Sequence, residues 1–489
     1  MRRSAGILLP VFSLPSPYGI GSVGREARAF ADFLHAAGQS WWQILPVGPT
    51  GAGDSPYTSV STFAGNPLLI DLPDLAERGL LTAEELASAR VPEGPIDYAA
   101  LYASRKTLLR RAFSRIPPEM AAAARSFREG TPWLREYALY QALKGRFGGS
   151  AWWEWPDEAL RRHEAAAVER WGAELAEEVA YHTCLQFWFF TQWAELKDYV
   201  NQLGIRIIGD LPIYVSLDSA DVWSERGQFL LDGEGRPAKV AGVPPDYFSE
   251  DGQLWGNPLY DWEAQRRDGF GWWIRRVEGA SHLFDAIRID HFRGLESYWA
   301  IPASSETAKT GAWEKGPGMD LLRVLTGWFP QITYIAEDLG VLTDAVHDLR
   351  NASGLPGMKV LEFAFSGPDN AYLPHHYVPH CICYTGTHDN DTAAGWYAHA
   401  GKEERAFAER YLGAAGEEAV VSALLRLGQG SVAELFIAQL QDYLGLGSEA
   451  RINVPGVAEG NWRWHLCAGQ LTEALAADIR ALTRTFDRC

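Results

Sequence analysis

Eight short apolar runs, most of them rich in β-branched residues, punctuate the chain. They are GILLPVF (6–12), WWQILPVG (41–48), IRIIGDLPIYV (205–215), FDAIRIDHF (284–292), TYIAEDLG (333–340), MKVLEFAF (358–365), CICYTGTHDN (381–390) and SVAELFIAQL (431–440). Hydrophobic positions in them are continuous rather than alternating, and polar residues bound their C-terminal ends. Continuity of that kind belongs to strands buried on both faces, as in a parallel sheet. Amphipathic segments lie between the runs, such as 25–38 (REARAFADFLHAAG) and 341–354 (VLTDAVHDLRNASG). The first carries apolar residues at i, i+3/i+4 spacing, and both end in glycine. Strand and helix alternating eight times predicts an α/β fold of the (β/α)8 TIM-barrel type.

The alternation is interrupted twice. From about 73 to 195 the chain is dominated by Ala, Leu, Glu and Arg with helical periodicity, which predicts a helical subdomain inserted after the second strand. From 216 to 262 it is rich in Gly, Pro and Asp and too long for an ordinary βα loop, so a substrate-site loop region is predicted there. After the last run only residues 441–489 remain, ending helically, which leaves no room for a C-terminal β-sandwich. The whole of 1–489 therefore reads as one catalytic barrel with insertions.

Composition narrows the partners. Acidic residues outnumber basic ones 62 to 44, a net charge of −18 that repels nucleic acid and anionic membrane and makes neutral substrates more plausible than polyphosphates. The chain holds 20 Trp, 19 Tyr and 21 Phe. Most are expected in the core, but the excess of Trp also suits stacking on flat apolar faces such as those of pyranose rings. Five scattered cysteines argue for a reducing compartment rather than a disulfide framework. The opening MRRSAGILLP imitates a signal peptide, yet its apolar run is short and meets prolines at once, so it reads as a first strand. No apolar stretch approaches the ~20 residues of a membrane span, and a soluble, cytoplasmic protein is expected.

Two motifs are set aside. Gly19–Gly24 matches GxGxxG, but the second strand ends in ILPVGPTG without the acidic residue that a dinucleotide fold places there. His375, His376, His380, Cys381 and Cys383 crowd together, but no second Cys or His pair has metal-site spacing. Neither a metal nor another cofactor is expected.

Barrel enzymes carry catalytic groups at the C-terminal ends of different strands, and three acids occupy such ends. Arg288 and Asp290 are two apart on a strand and share a face, so the guanidinium is expected to hold Asp290 ionised, as a nucleophile requires; the alternative is a structural ion pair. Glu337 ends the next strand. Partly desolvated and beside a negative neighbour, it would have the raised pKa of a general acid, with Asp338 a rival for that role. His388 and Asp389 end a third strand, side by side, where they can bond vicinal sugar hydroxyls or form an Asx-type turn. Singly each is ambiguous; together they form a constellation suited to glycoside chemistry.

Around these residues, RIDHFRGLESYWAIP (288–302), WEKGPG (313–318), IAEDLG (335–340) and YTGTHDNDT (384–392) resemble the signature blocks of amylomaltases, the 4-α-glucanotransferases of the α-amylase clan. DSPYTSVSTFAGNPLLIDL (54–72), GDLPIYV (209–215), GVPPDYFSEDGQLWGNPLYDW (242–262) and NVPGVAEGNWRW (453–464) do so too, in order and over nearly the whole chain. The resemblance implies a barrel without the β-sandwich and a metal-independent, retaining mechanism. By motif, Asp290 resembles the nucleophile, Glu337 the acid/base, and Asp389 the third carboxylate, which grips the 2- and 3-hydroxyls. Tyr57, Asp210, Arg288 and His388 resemble the donor-sugar pocket, Trp255 an acceptor platform with Gln253 beside it, and Asn461 and Trp462 a closing rim. The substrates implied are α-1,4-glucans (maltooligosaccharides, amylose, glycogen), with glucose or another glucan as acceptor; the alternative is an α-amylase-type α-glucan hydrolase. One departure is Ser366-Gly367, where many relatives are expected to carry an acid, so an acceptor-side contact is in doubt.

Overall fold

The computed structural model describes residues 3–245, 250–340 and 342–489. Each apolar run overlaps one strand, and the polar residues at its C-terminal end turn out of the sheet. In chain order the strands are β1 (Ser4–Leu8), β2 (Trp41–Gln43), β3 (Arg206–Pro212), β4 (Lys239–Val243), β5 (Gln253–Pro258), β6 (Ala286–Asp290), β7 (Ser297–Pro302), β8 (Ala312–Lys315), β9 (Thr333–Ala336), β10 (Gly357–Val360), β11 (Cys381–Tyr384) and β12 (Leu435–Gln439). Eight of them pair in parallel in the order β10-β11-β12-β1-β2-β3-β6-β9. The Ala336 amide donates to the Pro356 carbonyl at 3.0 Å and draws the two edges together, so the sheet is a nearly closed barrel.

Continuous hydrophobicity has the expected consequence: every residue of β1, β11 and β12 is buried. Trp42, Trp193, Trp272 and Trp273 are fully buried core residues. Gly209 in β3 shows how tight the packing is, because a Cβ there would stand 2.2 Å from the Phe284 ring. Helices Arg25–Ala36, Ala176–Gln202, Gly271–Leu283, Met319–Trp328, Asp344–Ser353 and Glu473–Thr485 lie around the sheet. Between β2 and β3 the chain runs through helices from Leu72–Glu77 to Ala176–Gln202, the last of which packs against β3 and Arg25–Ala36.

The structure departs from the predicted alternation in two places. Between β10 and β11 only the 3₁₀ turns Leu361–Phe363 and Pro374–His376 form. Gly367, Pro368, Pro374 and Pro379 interrupt that stretch, and proline removes the donor a helix interior needs. The Gly/Pro/Asp-rich stretch 216–262 is more than loop: β4 and β5 pair antiparallel and join β7 and β8 in a four-stranded sheet, β5-β4-β7-β8. Its partner strands come from beyond β6, so local patterning did not reveal the pairing. Residues 246–249 of the predicted loop region, and Val341 at the start of a predicted helix, lie outside the described residues. Among the described residues no strand follows β12, and no helix is long and apolar enough to cross a membrane.

Candidate active site

The C-terminal strand ends open into a cleft of about 1400 Å³, lined on one side by residues of the second sheet, Val243, Gln253, Trp255 and Trp313. Asp290 is the last residue of β6 and Glu337 the first after β9. The ladder between these strands ends at Ile289↔Ala336, so both carboxylates leave adjacent strands at the same level. Glu337 Oε2 accepts from the His291 amide at 2.8 Å and Oε1 from the Leu339 amide at 3.0 Å. The first bond involves a left-handed His291 (φ 54°), a conformation that non-glycine residues adopt at a cost.

Arg288 shares the face of Asp290 and lies opposite Asp210 in the β3–β6 ladder. Its Nη1 donates to Asp290 Oδ1 at 2.9 Å and to Asp210 Oδ2 at 2.5 Å. The Tyr57 hydroxyl donates to the same Asp210 oxygen at 2.7 Å, and its ring stacks on His388, centroids 5.1 Å apart. Trp462 packs against both rings, at 5.8 and 6.0 Å. Tyr57, Asp210 and His388 thus form a bonded layer behind the carboxylates, and Asp210 and His388 are buried.

Asp389 follows β11 and is more open than Asp290, with 45% of its side chain exposed against 26%. Asn453 Nδ2 donates to its Oδ1 at 2.6 Å, Arg451 Nη2 donates to its carbonyl at 2.6 Å, and His388 Nε2 stands 3.3 Å from Oδ1. Trp255 donates from Nε1 to Gln253 Oε1 at 3.1 Å and meets His291 edge-on at 4.8 Å.

Burial pushes the Glu337 carboxyl up from its usual range, as an acid needs; Arg288 and the two amides pull the other way and Asp338 adds to the rise. Asp290 corrects an expectation. Arg288 does bond it, yet burial, reinforced by the carboxylates of Asp210, Glu337 and Asp389, raises it well above the ordinary range. The guanidinium therefore does not set its charge alone: burial and the neighbouring carboxylates oppose it at Asp290, and burial opposes it at Glu337, which Arg288 also pulls down. The rival acid Asp338 is buried instead, bonded to Arg350 at 2.5 Å and to the Met358 amide at 2.7 Å.

Of the residues singled out in the sequence, Asp290, Glu337, Asp389, Arg288, Gln253 and Trp255 line the cleft. Asn461 does not: its Oδ1 accepts from the Val454 amide at 2.9 Å and its Nδ2 donates to the Val457 carbonyl at 2.9 Å, pinning its own loop. Trp462 is buried rather than at a rim. Among the described residues no group of three or more His, Cys, Asp or Glu is arranged to hold a metal ion. His375, His376 and His380 bond separately to Tyr411, the Pro368 carbonyl and the Gly354 carbonyl. Sequence reasoning missed Glu362, Arg451 and Asn453. Glu362 lies two residues beyond β10, in the turn Leu361–Phe363, much as Glu337 follows β9, so the same criterion finds it. Arg451 and Asn453 lie in a loop after the last strand, with no local signal.

Carboxylates on separate strand ends of a parallel barrel, two of them on adjacent strands in one large cleft, define a barrel enzyme that works on glycosidic bonds. The chain belongs to the 4-alpha-glucanotransferase family, whose sequence profile matches residues 9–470. The 4-alpha-glucanotransferase of Thermus thermophilus is 52% identical, with 99% of each chain covered. That of Streptococcus pneumoniae is 44% identical over 100% of this chain and 98% of its own. Among solved structures, the amylomaltase from Streptococcus agalactiae in complex with acarbose superposes with a TM-score of 0.97 at 38% identity, with 100% of both chains covered. The family carries transfer, the reading favoured from the sequence over hydrolysis.

Proposed function

We propose that the cleft moves α-1,4-glucan segments by a retaining double displacement. The observation that carries it is the exit of Asp290 and Glu337 from adjacent strands at one level. Neighbouring strands lie about 4.8 Å apart, close to the 5–5.5 Å between carboxyls of retaining enzymes. Asp290 attacks C1 of the donor sugar while Glu337 protonates the departing 4-oxygen, so the C1–O4 bond breaks as a C1–Oδ ester forms. The acceptor 4-hydroxyl then gives its proton to Glu337 and its oxygen attacks C1, releasing Asp290. Asp389 holds the 2- and 3-hydroxyls as the ring flattens, and Asn453 and Arg451 hold Asp389. Tyr57, Asp210 and His388 keep Arg288 and the donor pocket in shape. Trp255 supports the acceptor ring, with Gln253 fixing its indole.

Water and a sugar hydroxyl compete for the ester, and transfer wins where water is kept out and the acceptor is bound well. Residues of 242–262 wall the cleft, which supports reading that region as the cover over an acceptor site. We read 73–195 as a helical insertion and 216–262 as a substrate-site insertion in one catalytic barrel. Maltooligosaccharides, amylose and glycogen are the donors this reading assigns, glucose or another glucan the acceptor, and the cytoplasm the compartment. The test is incubation with maltotriose alone and separation of products by size. Glucose together with chains longer than maltotriose is expected; glucose and maltose alone would replace transfer by hydrolysis.

A further inference from the structure

Trp313 is a large apolar side chain left 43% exposed, and it lines the cleft. It lies on β8, an edge strand of the antiparallel sheet, opposite Trp299 in the ladder. The two indoles meet edge-on with centroids 5.2 Å apart, and the guanidinium carbon of Arg293 stands 3.9 Å over the Trp313 ring. The cation over its ring and the Trp299 indole packed against it hold the Trp313 indole in one orientation. Trp255 lies on β5, the opposite edge of the same four-stranded sheet, and is also partly exposed to the cleft. Both edges border the same cleft of about 1400 Å³.

Large apolar side chains exposed in a concave site, rimmed by polar groups, mark a ligand surface. A glucan chain presents alternating hydroxyl edges and apolar ring faces, and an immobilised indole is complementary to such a face. We propose that Trp313 is a second sugar-stacking platform. It binds a pyranose ring further from the reacting bond than the ring on Trp255, on the side that holds the leaving chain and then the acceptor, and so sets a preference for longer glucans. The assignment rests on the glucan-transfer reading given above, although its test does not depend on transfer being faster than hydrolysis.

The test uses Asp290→Ala protein, which binds without turning over, with and without Trp313→Ala. Binding of maltose and of maltoheptaose is measured by calorimetry. Loss of one stacking platform is expected to weaken maltoheptaose about tenfold more than maltose. Trp313→Leu keeps apolar bulk without a stacking face, shows the same selective loss, and serves where the alanine variant does not fold. Equal weakening of both sugars would make the indole part of the sheet packing and overturn the proposal. Unchanged affinity for both would overturn it as well. Failure of the transfer reading shows separately, in the products the parent protein makes from maltotriose.

Discussion

At Arg288 one nitrogen serves two carboxylates, and the consequences differ for each. Asp210 has a fully buried side chain and spends its bonded oxygen on Arg288 and Tyr57. Asp290 keeps a quarter of its side chain exposed, enough to face a substrate. Among the described residues no cation is in hydrogen-bond contact with Glu337, which is raised by burial. The pair is therefore expected to lose its last proton, and with it the acid, above the ordinary carboxylate range of about 3.9–4.3. kcat/KM should fall as pH rises through that raised range, and a descending limb at or below it is the contrary result. Asp290→Ala and Glu337→Gln should each remove nearly all activity while circular dichroism and thermal unfolding stay those of the parent. Parent-like rates in either variant would remove that residue from its assigned role.

Among elements, the loop after β11 decides whether Asp389 is placed, and buried groups anchor it. Asp442, after β12, accepts from the amide of Ala393, at the start of helix Ala393–His399, at 2.7 Å, and from Thr385 Oγ1 at 2.5 Å. Burial pushes the Asp442 carboxyl up to about 6. Folded chain thus holds this proton more tightly than unfolded chain, where an aspartate titrates near 3.9. The stability this represents is fully present below about 3.9 and is lost as pH rises through about 6, a change of at most ~3 kcal/mol. Asp442→Asn should flatten that part of the curve of unfolding free energy against pH, read by urea titration between pH 4 and 7. An unchanged slope would place the pH dependence in another group. Glu362 is pushed well above its usual range by burial beside Asp442 and Asp391, and its Oε1 has no hydrogen-bond partner among the described residues.

For the whole molecule, the first and last barrel strands are joined from below. Arg488, fully buried, donates to the carbonyls of Ser4 at 2.9 Å, Gln429 at 2.7 Å, Ser431 at 3.0 Å and Ala433 at 2.9 Å. Arg3 donates to Gln429 and Ser431 as well, at 2.8 and 2.6 Å. These bonds gather the start of β1 and the approach to β12 at the end of the barrel away from the cleft. Arg488→Ala should lower unfolding free energy by about 2–4 kcal/mol, since several buried carbonyls lose a charged donor. Chemical denaturation checks the size, and kcat at 25 °C should stay that of the parent. Lost activity with unchanged stability would contradict this separation of clamp from site.

Strand identity was legible in the sequence because a strand buried on both faces must be apolar throughout, and eight such runs are hard to read otherwise. The catalytic carboxylates were legible for a related reason: the polar residues that end those runs emerge together at one end of a parallel barrel, so Asp290, Glu337 and Asp389 could be chosen by position. Contacts between distant segments were not legible. The second sheet pairs 239–258 with 297–315, Arg451 and Asn453 reach Asp389 from beyond the last strand, and Asn461 turns back onto its own loop. Nor was the charge of Asp290, since a nearby arginine can be read from spacing whereas burial among three other carboxylates cannot. Local patterning determined which elements form and which ends carry acids. Only the tertiary structure decided which of those acids share a cleft, what desolvates them, and which aromatic faces remain open beside them, because burial and long-range pairing are properties of the packed chain.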